Sequence, residues 1–163
     1  MRPTGASRPI AARSAAGGAR GKRFVILASS FHEPLSRGLI TGAIRTLARH
    51  GAKPGAARVV WVPGAFELPI VASHAVRRRP RPDAVLALGA LIKGDTEQYL
   101  VLAHAVAAGL AEVSVRSGVP VTFGVVVANT PAQARARCGA GTGNRGAEAA
   151  LAALGVLRLL DRI

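Results

Sequence analysis

Ala84-Val85-Leu86-Ala87-Leu88-Gly89-Ala90-Leu91-Ile92 is an unbroken apolar run, and Lys93-Gly94-Asp95-Thr96-Glu97-Gln98-Tyr99 follows it directly. The run reads as a strand buried on both faces. The polar turn after it opens a helix expected over roughly 97–117, which Gly118 and Pro120 close before a strand at Val121–Ala128. Upstream, Phe24–Ser29 is a second continuous apolar run, and Leu35, Leu39, Ile40, Ala43, Ile44 and Leu47 recur at helical spacing up to Gly51. Val59–Val62 reads as a strand closed by Pro63-Gly64, with a helix from about Glu67 to Arg78. Thr130-Pro131 has the form of an N-cap with proline in the first turn, starting a short helix to about Cys138. A Gly-rich loop, 139–146, precedes a last helix from about Ala147 to Leu160. Strands alternating with helices predict an α/β domain, a doubly wound parallel sheet with helices on both faces.

The chain has 163 residues, half of them hydrophobic, a mean hydropathy of +0.30 and a net charge of +14. That length fits one domain, expected over residues 23–163, with enough apolar content for a core. Aromatics are only 4%, which leaves few stacking platforms for single-stranded nucleic acid. The apolar runs break well before the roughly 18 residues of a membrane span, so no membrane association is expected. A lone cysteine, Cys138, excludes an internal disulfide framework and a cysteine-based metal cage, and fits a cytoplasmic location. Cys138 itself reads as a packing residue.

The charge is uneven. Residues 1–23 hold six positive groups and no acid, and Arg77-Arg78-Arg79-Pro80-Arg81 forms a second cluster. Residues 1–22 resemble a transit peptide in composition but are short for one, so a disordered basic tail is expected there. No nucleic-acid motif accompanies the charge, so a solvated tail and turn are preferred to a polyanion surface.

In open α/β sheets, ligands bind outside the carboxyl ends of the strands. Four unusual segments fall there: Ser29–Glu33, Pro63–Pro69, Lys93–Tyr99 and Asn129-Thr130. Phe31 and Phe66 lie in the first two, which favours a planar, stackable ligand over two aromatics that merely cap the core. Lys93-Gly94-Asp95-Thr96 precedes a helix, whose free N–H groups make such a turn an anion site.

These segments together resemble the lumazine synthase family over about residues 23–160. The resemblance rests on Val62-Pro63-Gly64-Ala65-Phe66-Glu67-Leu68-Pro69, on Leu88-Gly89-Ala90-Leu91-Ile92-Lys93-Gly94-Asp95-Thr96, and on Gly143-Asn144-Arg145-Gly146-Ala147-Glu148-Ala149-Ala150. It implies a flavodoxin-like, three-layer αβα fold with a four-stranded parallel sheet, assembled as a pentamer or a 60-subunit shell. It implies condensation of 5-amino-6-(D-ribitylamino)uracil with 3,4-dihydroxy-2-butanone 4-phosphate in riboflavin biosynthesis, with no metal and no organic cofactor. Riboflavin synthase is a compatible partner. The short loop 138–146 permits a shell.

By position, the resemblance puts Phe31 on the pyrimidine ring with His32 beside the substrate. Ala65, Phe66 and Glu67 would hold the ribityl chain, and Gly94, Asp95 and Thr96 the phosphate. From a neighbouring subunit, Phe123 would close the ring pocket, Arg137 would meet the phosphate, and Arg145 would add a cation. One departure stands out. Where the family usually has a histidine and, two residues later, an acid, this chain has Gln98 and Leu100. Histidine titrates near neutral pH and shuttles protons, whereas an amide only donates and accepts hydrogen bonds. A slower but genuine enzyme is therefore expected, with His32, or Glu97 on a rotated turn, as a substitute base. The alternative is a non-catalytic relative that binds lumazine or flavin, or builds a shell.

Overall fold

The computed structural model describes residues 17–163. Four strands, β1 (Phe24–Ser29), β2 (Ala57–Val62), β3 (Ala84–Ile92) and β4 (Val121–Ala128), form one parallel sheet in the order β2-β1-β3-β4. Five helices connect and cover them: α1 (Glu33–Arg49), α2 (Leu68–Ala75), α3 (Gln98–Ser117), α4 (Pro131–Cys138) and α5 (Arg145–Leu160). This is the expected three-layer, flavodoxin-like arrangement. β3 is paired on both edges, Ala87 lying opposite Leu27 and Phe123, which is why its sequence carries no polar residue.

Two cores flank the sheet. On one face Ile26, Leu86, Leu88 and Val126 meet Leu39, Ala43 and Leu47 of α1 and Ala150, Ala153 and Leu154 of α5. On the other, Leu27, Val85, Ala87 and Val125 meet Leu68 and Ala72 of α2 and Ala103, Val106 and Leu110 of α3. α1 and α5 pack unusually close. A β-carbon on Gly146 would lie 2.0 Å from the Leu39 carbonyl oxygen, and one on Gly42 2.1 Å from Asn144 Oδ1. Asn144 fastens this contact: its Oδ1 accepts the Ala147 N–H at 3.0 Å as the cap of α5. Its Nδ2 donates to the Gly38, Cys138 and Gly139 carbonyls at 2.9–3.1 Å.

Several boundaries differ from those read in the sequence. α2 ends at Ala75 rather than near Arg78, and Ala65–Glu67 precedes it as a 3-10 turn. The residue before a proline is disfavoured in helical conformation, so Arg79-Pro80 cannot prolong it. α5 begins at Arg145, because Asn144 caps it two residues before the expected start. At 20 residues and mean hydropathy 1.4, α3 is long and apolar enough to cross a membrane by those measures alone. The expectation from short runs overlooked this, because His104 and Glu112 interrupt the run without lowering its average much. α3 lies along the sheet, with Tyr99, Ala103, Val106 and Leu110 in the core.

Most of the basic tail expected for residues 1–22 lies outside the described residues. Residues 17–22, grouped with it by charge, form turns against the domain: Ala19 is fully buried, its N–H donating to the His50 carbonyl at 3.0 Å. Lys22 reaches Asp161 at 3.7 Å.

Candidate active site

The chain crosses from β1 to β2 on one side of the sheet and from β3 to β4 on the other. The carboxyl ends of β1 and β3 therefore form the switch point at which open α/β sheets bind ligands. Three turns converge there. The turn after β1 is tied down by the Ser30 N–H on the Val62 carbonyl at 2.8 Å, and by Ser36 Oγ donating to the Ser29 carbonyl at 2.6 Å. The turn after β2 runs through Pro63-Gly64 into the 3-10 turn, where Glu67 folds back so that its Oε2 lies 2.8 Å from a β-carbon built on Gly64. A side chain at that position would push the Glu67 carboxylate aside. The turn after β3 is held by the Lys93 N–H on the Ala128 carbonyl at 2.9 Å.

Between these turns lies a cavity of about 620 Å³, within the usual range for small-molecule sites. Of the residues singled out in the sequence, Phe31, His32, Ala65, Phe66, Glu67, Gly94, Thr96 and Gln98 all line it. Asp95 shares their turn but is not part of the lining. Phe31 is 78% exposed and Phe66 59%. The Phe31 and His32 rings meet edge to face, centroids 4.9 Å apart. Leu100, next to the lining residues Gln98 and Tyr99, is 37% exposed and offers no charge.

Phe123, Arg137 and Arg145 stand apart from this cavity. Phe123 is half-buried on β4 against the second core. Arg137 lies at the end of α4, its Nη1 3.2 Å from a β-carbon built on Gly143. Arg145, in the first turn of α5, pairs with Glu148 at 2.6 Å. The candidate residues thus divide between two regions of one chain.

Two contacts at the lining were not foreseen from the sequence, although Lys93, Tyr99 and Asn129 fall in segments singled out there. Tyr99, the chain's single tyrosine, is buried beside Gln98 and donates its hydroxyl to Asn129 Oδ1 at 2.7 Å. The Asn129 N–H in turn donates to Gln133 Oε1 at 2.9 Å, so the starts of α3 and α4 share one hydrogen-bonded chain. Lys93 also lines the cavity, and its Nζ pairs with Glu97 Oε1 at 2.6 Å. The hydrogen bond and charge of Glu97 hold the Lys93 ammonium above the ordinary lysine range. Among the described residues no group of three or more His, Cys, Asp or Glu side chains could hold a metal ion.

The order β2-β1-β3-β4, with a cavity of aromatic and polar walls at the switch point, defines a flavodoxin-like α/β protein. Residues 21–161 match the family described as 6,7-dimethyl-8-ribityllumazine synthase. The chain is 42% identical over 145 residues to the 6,7-dimethyl-8-ribityllumazine synthase of Thermus thermophilus, covering 89% of this chain and 92% of that one. Proteins of the same name from Gemmatimonas aurantiaca (45% over 142 residues; 87% and 86% covered) and Leuconostoc mesenteroides (39% over 142 residues; 87% and 90%) are also similar. The chain belongs to the 6,7-dimethyl-8-ribityllumazine synthase family. Membership makes it a transferase of riboflavin biosynthesis, acting on small molecules and assembling as an oligomer.

Proposed function

We propose that this protein condenses 5-amino-6-(D-ribitylamino)uracil with 3,4-dihydroxy-2-butanone 4-phosphate to give 6,7-dimethyl-8-ribityllumazine, using an altered proton-transfer site. The observation that carries the reading is the convergence of Phe31, His32, Phe66, Glu67, Gly94, Thr96 and Gln98 on one cavity. Phe31 stacks on the pyrimidine, and the Glu67 carboxylate accepts hydrogen bonds from the ribityl hydroxyls. Gly94 and Thr96, before the N-terminus of α3, receive the phosphate, with Lys93 at the rim. The amine adds to the ketone and water leaves as the imine forms. Inorganic phosphate is then eliminated, the second amine closes the ring, and a further water leaves.

Gln98 occupies the position where the resemblance implies a histidine, and Leu100 the position of its acidic partner. Removing a general acid–base group typically costs on the order of 10²–10⁴-fold in rate. Orientation of two reactive substrates supplies several kcal/mol without it, so turnover persists at a lower rate. His32, on the cavity wall, is the substitute base.

Phe123, Arg137 and Arg145 complete the site from an adjacent subunit of a pentamer, alone or in a 60-subunit shell. Arginine forks suit phosphate well. Exposed apolar side chains outside the cavity lining, among them Val101 at 61% and Val115 at 84% on α3, support burial against further copies. The assembly works in the cytoplasm.

Mixing the purified protein with both substrates and following lumazine absorbance tests the reading. Formation faster than the uncatalysed reaction is expected, and its absence would overturn it. Gln98 with Leu100 favours a second reading, a non-catalytic lumazine-binding relative. Tight lumazine binding without rate enhancement would establish that one instead.

A further inference from the structure

At the end of the sheet opposite the candidate active site, one helix is too short for the strands beneath it. The eight residues of α2 span about 12 Å at 1.5 Å per residue. The six residues of β1 span about 20 Å. The amino-terminal parts of β1 and β2 are therefore left without a helix on that face, and a second cavity, of about 390 Å³, opens there.

Its floor is apolar: Val25 and Leu27 from β1, Val60 from β2, Val71 and Ala75 from α2. Its rim is cationic. Arg23, Arg58, Arg78 and Arg79 line it with His74, and no carboxylate does. Asp83, three residues beyond Pro80 of the rim, is engaged by the Arg23 backbone N–H at 2.7 Å. Arg23 gives one Nη to the Arg81 carbonyl at 3.0 Å. The guanidiniums of Arg58, Arg78 and Arg79 have no ion pair or side-chain hydrogen bond among the described residues. Four arginines thus line one concave apolar surface, and no acidic residue is part of that lining.

We propose that this cavity binds a small amphipathic anion, an apolar body of roughly ten carbon atoms with a single carboxylate, sulfonate or phosphate head. The body covers Val25, Val60 and Val71, which otherwise remain partly open to water. The head takes the forked donors of Arg58 and Arg78, which match planar or tetrahedral oxyanions. An apolar floor selects against a bare inorganic ion. An enclosure of this size selects against a polymer, which would need an extended cationic track. The site is separate from the reaction, because none of its lining residues borders the first cavity.

The full-length protein is titrated with anilinonaphthalene sulfonate, followed by its fluorescence, with decanoate as competitor. One saturable site per chain is expected, displaced by decanoate but not by equal inorganic sulfate. The double variant Arg58→Ser/Arg78→Ser and the cavity-filling Ala75→Leu should each weaken binding by about tenfold or more, as loss of charge-assisted hydrogen bonds or of the apolar seat requires. Phe66→Ala, in the other cavity, should leave the affinity unchanged. Both arginines are exposed, so the double variant should keep its urea midpoint, and that is measured alongside. Absence of saturable binding, equal affinity in the arginine variant, or loss of binding in Phe66→Ala instead would overturn the proposal. So would a sulfated polysaccharide fragment that binds without displacing the probe and ignores Ala75→Leu, since the arginines would then serve a polyanion.

Discussion

Gln98 faces the cavity with a neutral amide, and Leu100 stands two residues on without a charge. If proton transfer is what this pair has given up, restoring it should act on the chemical step alone. Gln98→His with Leu100→Asp is expected to raise kcat by about tenfold to a hundredfold, with KM for the phosphorylated substrate nearly constant. Unchanged kcat would place the base elsewhere, with His32 the first to replace. Cys138 gives a prediction of a different kind. Burial pushes its thiol from 9.0 up to about 11. Between those values an unfolded chain releases a proton that the folded chain keeps, so the unfolded state binds fewer protons and stability falls as pH rises. Below about pH 8 both forms are protonated and the thiol adds no pH dependence. Urea midpoints at pH 8 and pH 10 should diverge more for the wild type than for Cys138→Ala, and equal losses would contradict the assignment.

At the scale of elements, the tightest constraint is the contact between α1 and α5. A β-carbon on Gly146 would lie 2.0 Å from the Leu39 carbonyl oxygen, a backbone atom that moves only with its helix. Gly146→Ala should therefore destabilise the domain by about 2 kcal/mol or more, read as a lower urea midpoint at unchanged m-value. A smaller loss would mean that the helices separate easily. This closeness was not legible beforehand, because a glycine in a helical pattern does not announce which backbone it approaches. Strands β1, β3 and β4 were legible, since fully buried parallel strands read as continuous apolar runs. The end of α2 was not: Ala75-Val76-Arg77-Arg78 suits a helix by propensity, and only the chain beyond it, Arg79-Pro80, stops it. The cavity lining at the ends of β1, β2 and β3 was readable because each turn follows a recognisable strand. Tyr99 was not, because its role depends on Asn129, thirty residues away on another strand end.

The whole molecule raises the question of where a complete site resides. One chain brings Phe31, His32, Phe66, Glu67, Thr96 and Gln98 to a single cavity but leaves Phe123, Arg137 and Arg145 away from it. If an adjacent copy supplies the second group, each site is made by a heterologous contact: a cavity from one chain and an α4–α5 corner from the next. Two variants defective in different halves should then repair one another. Glu67→Ala disables the cavity of its own chain, and Arg137→Ala disables only the corner it lends to a neighbour. Each homo-oligomer has no intact site. Dissociated, mixed in equal amounts and reassembled, the two give sites that join an intact cavity to an intact corner in about a quarter of cases, so roughly a quarter of wild-type activity should return. The same variants mixed without reassembly should stay inactive, which separates subunit exchange from contamination. Failure to recover activity in reassembled mixed oligomers would place the whole site within one chain. Arg137 would then have to reach the cavity by a movement of α4, against the Thr130 cap that holds the Gln133 N–H at 3.2 Å and the Asn144 hydrogen bond to the Cys138 carbonyl at 3.1 Å.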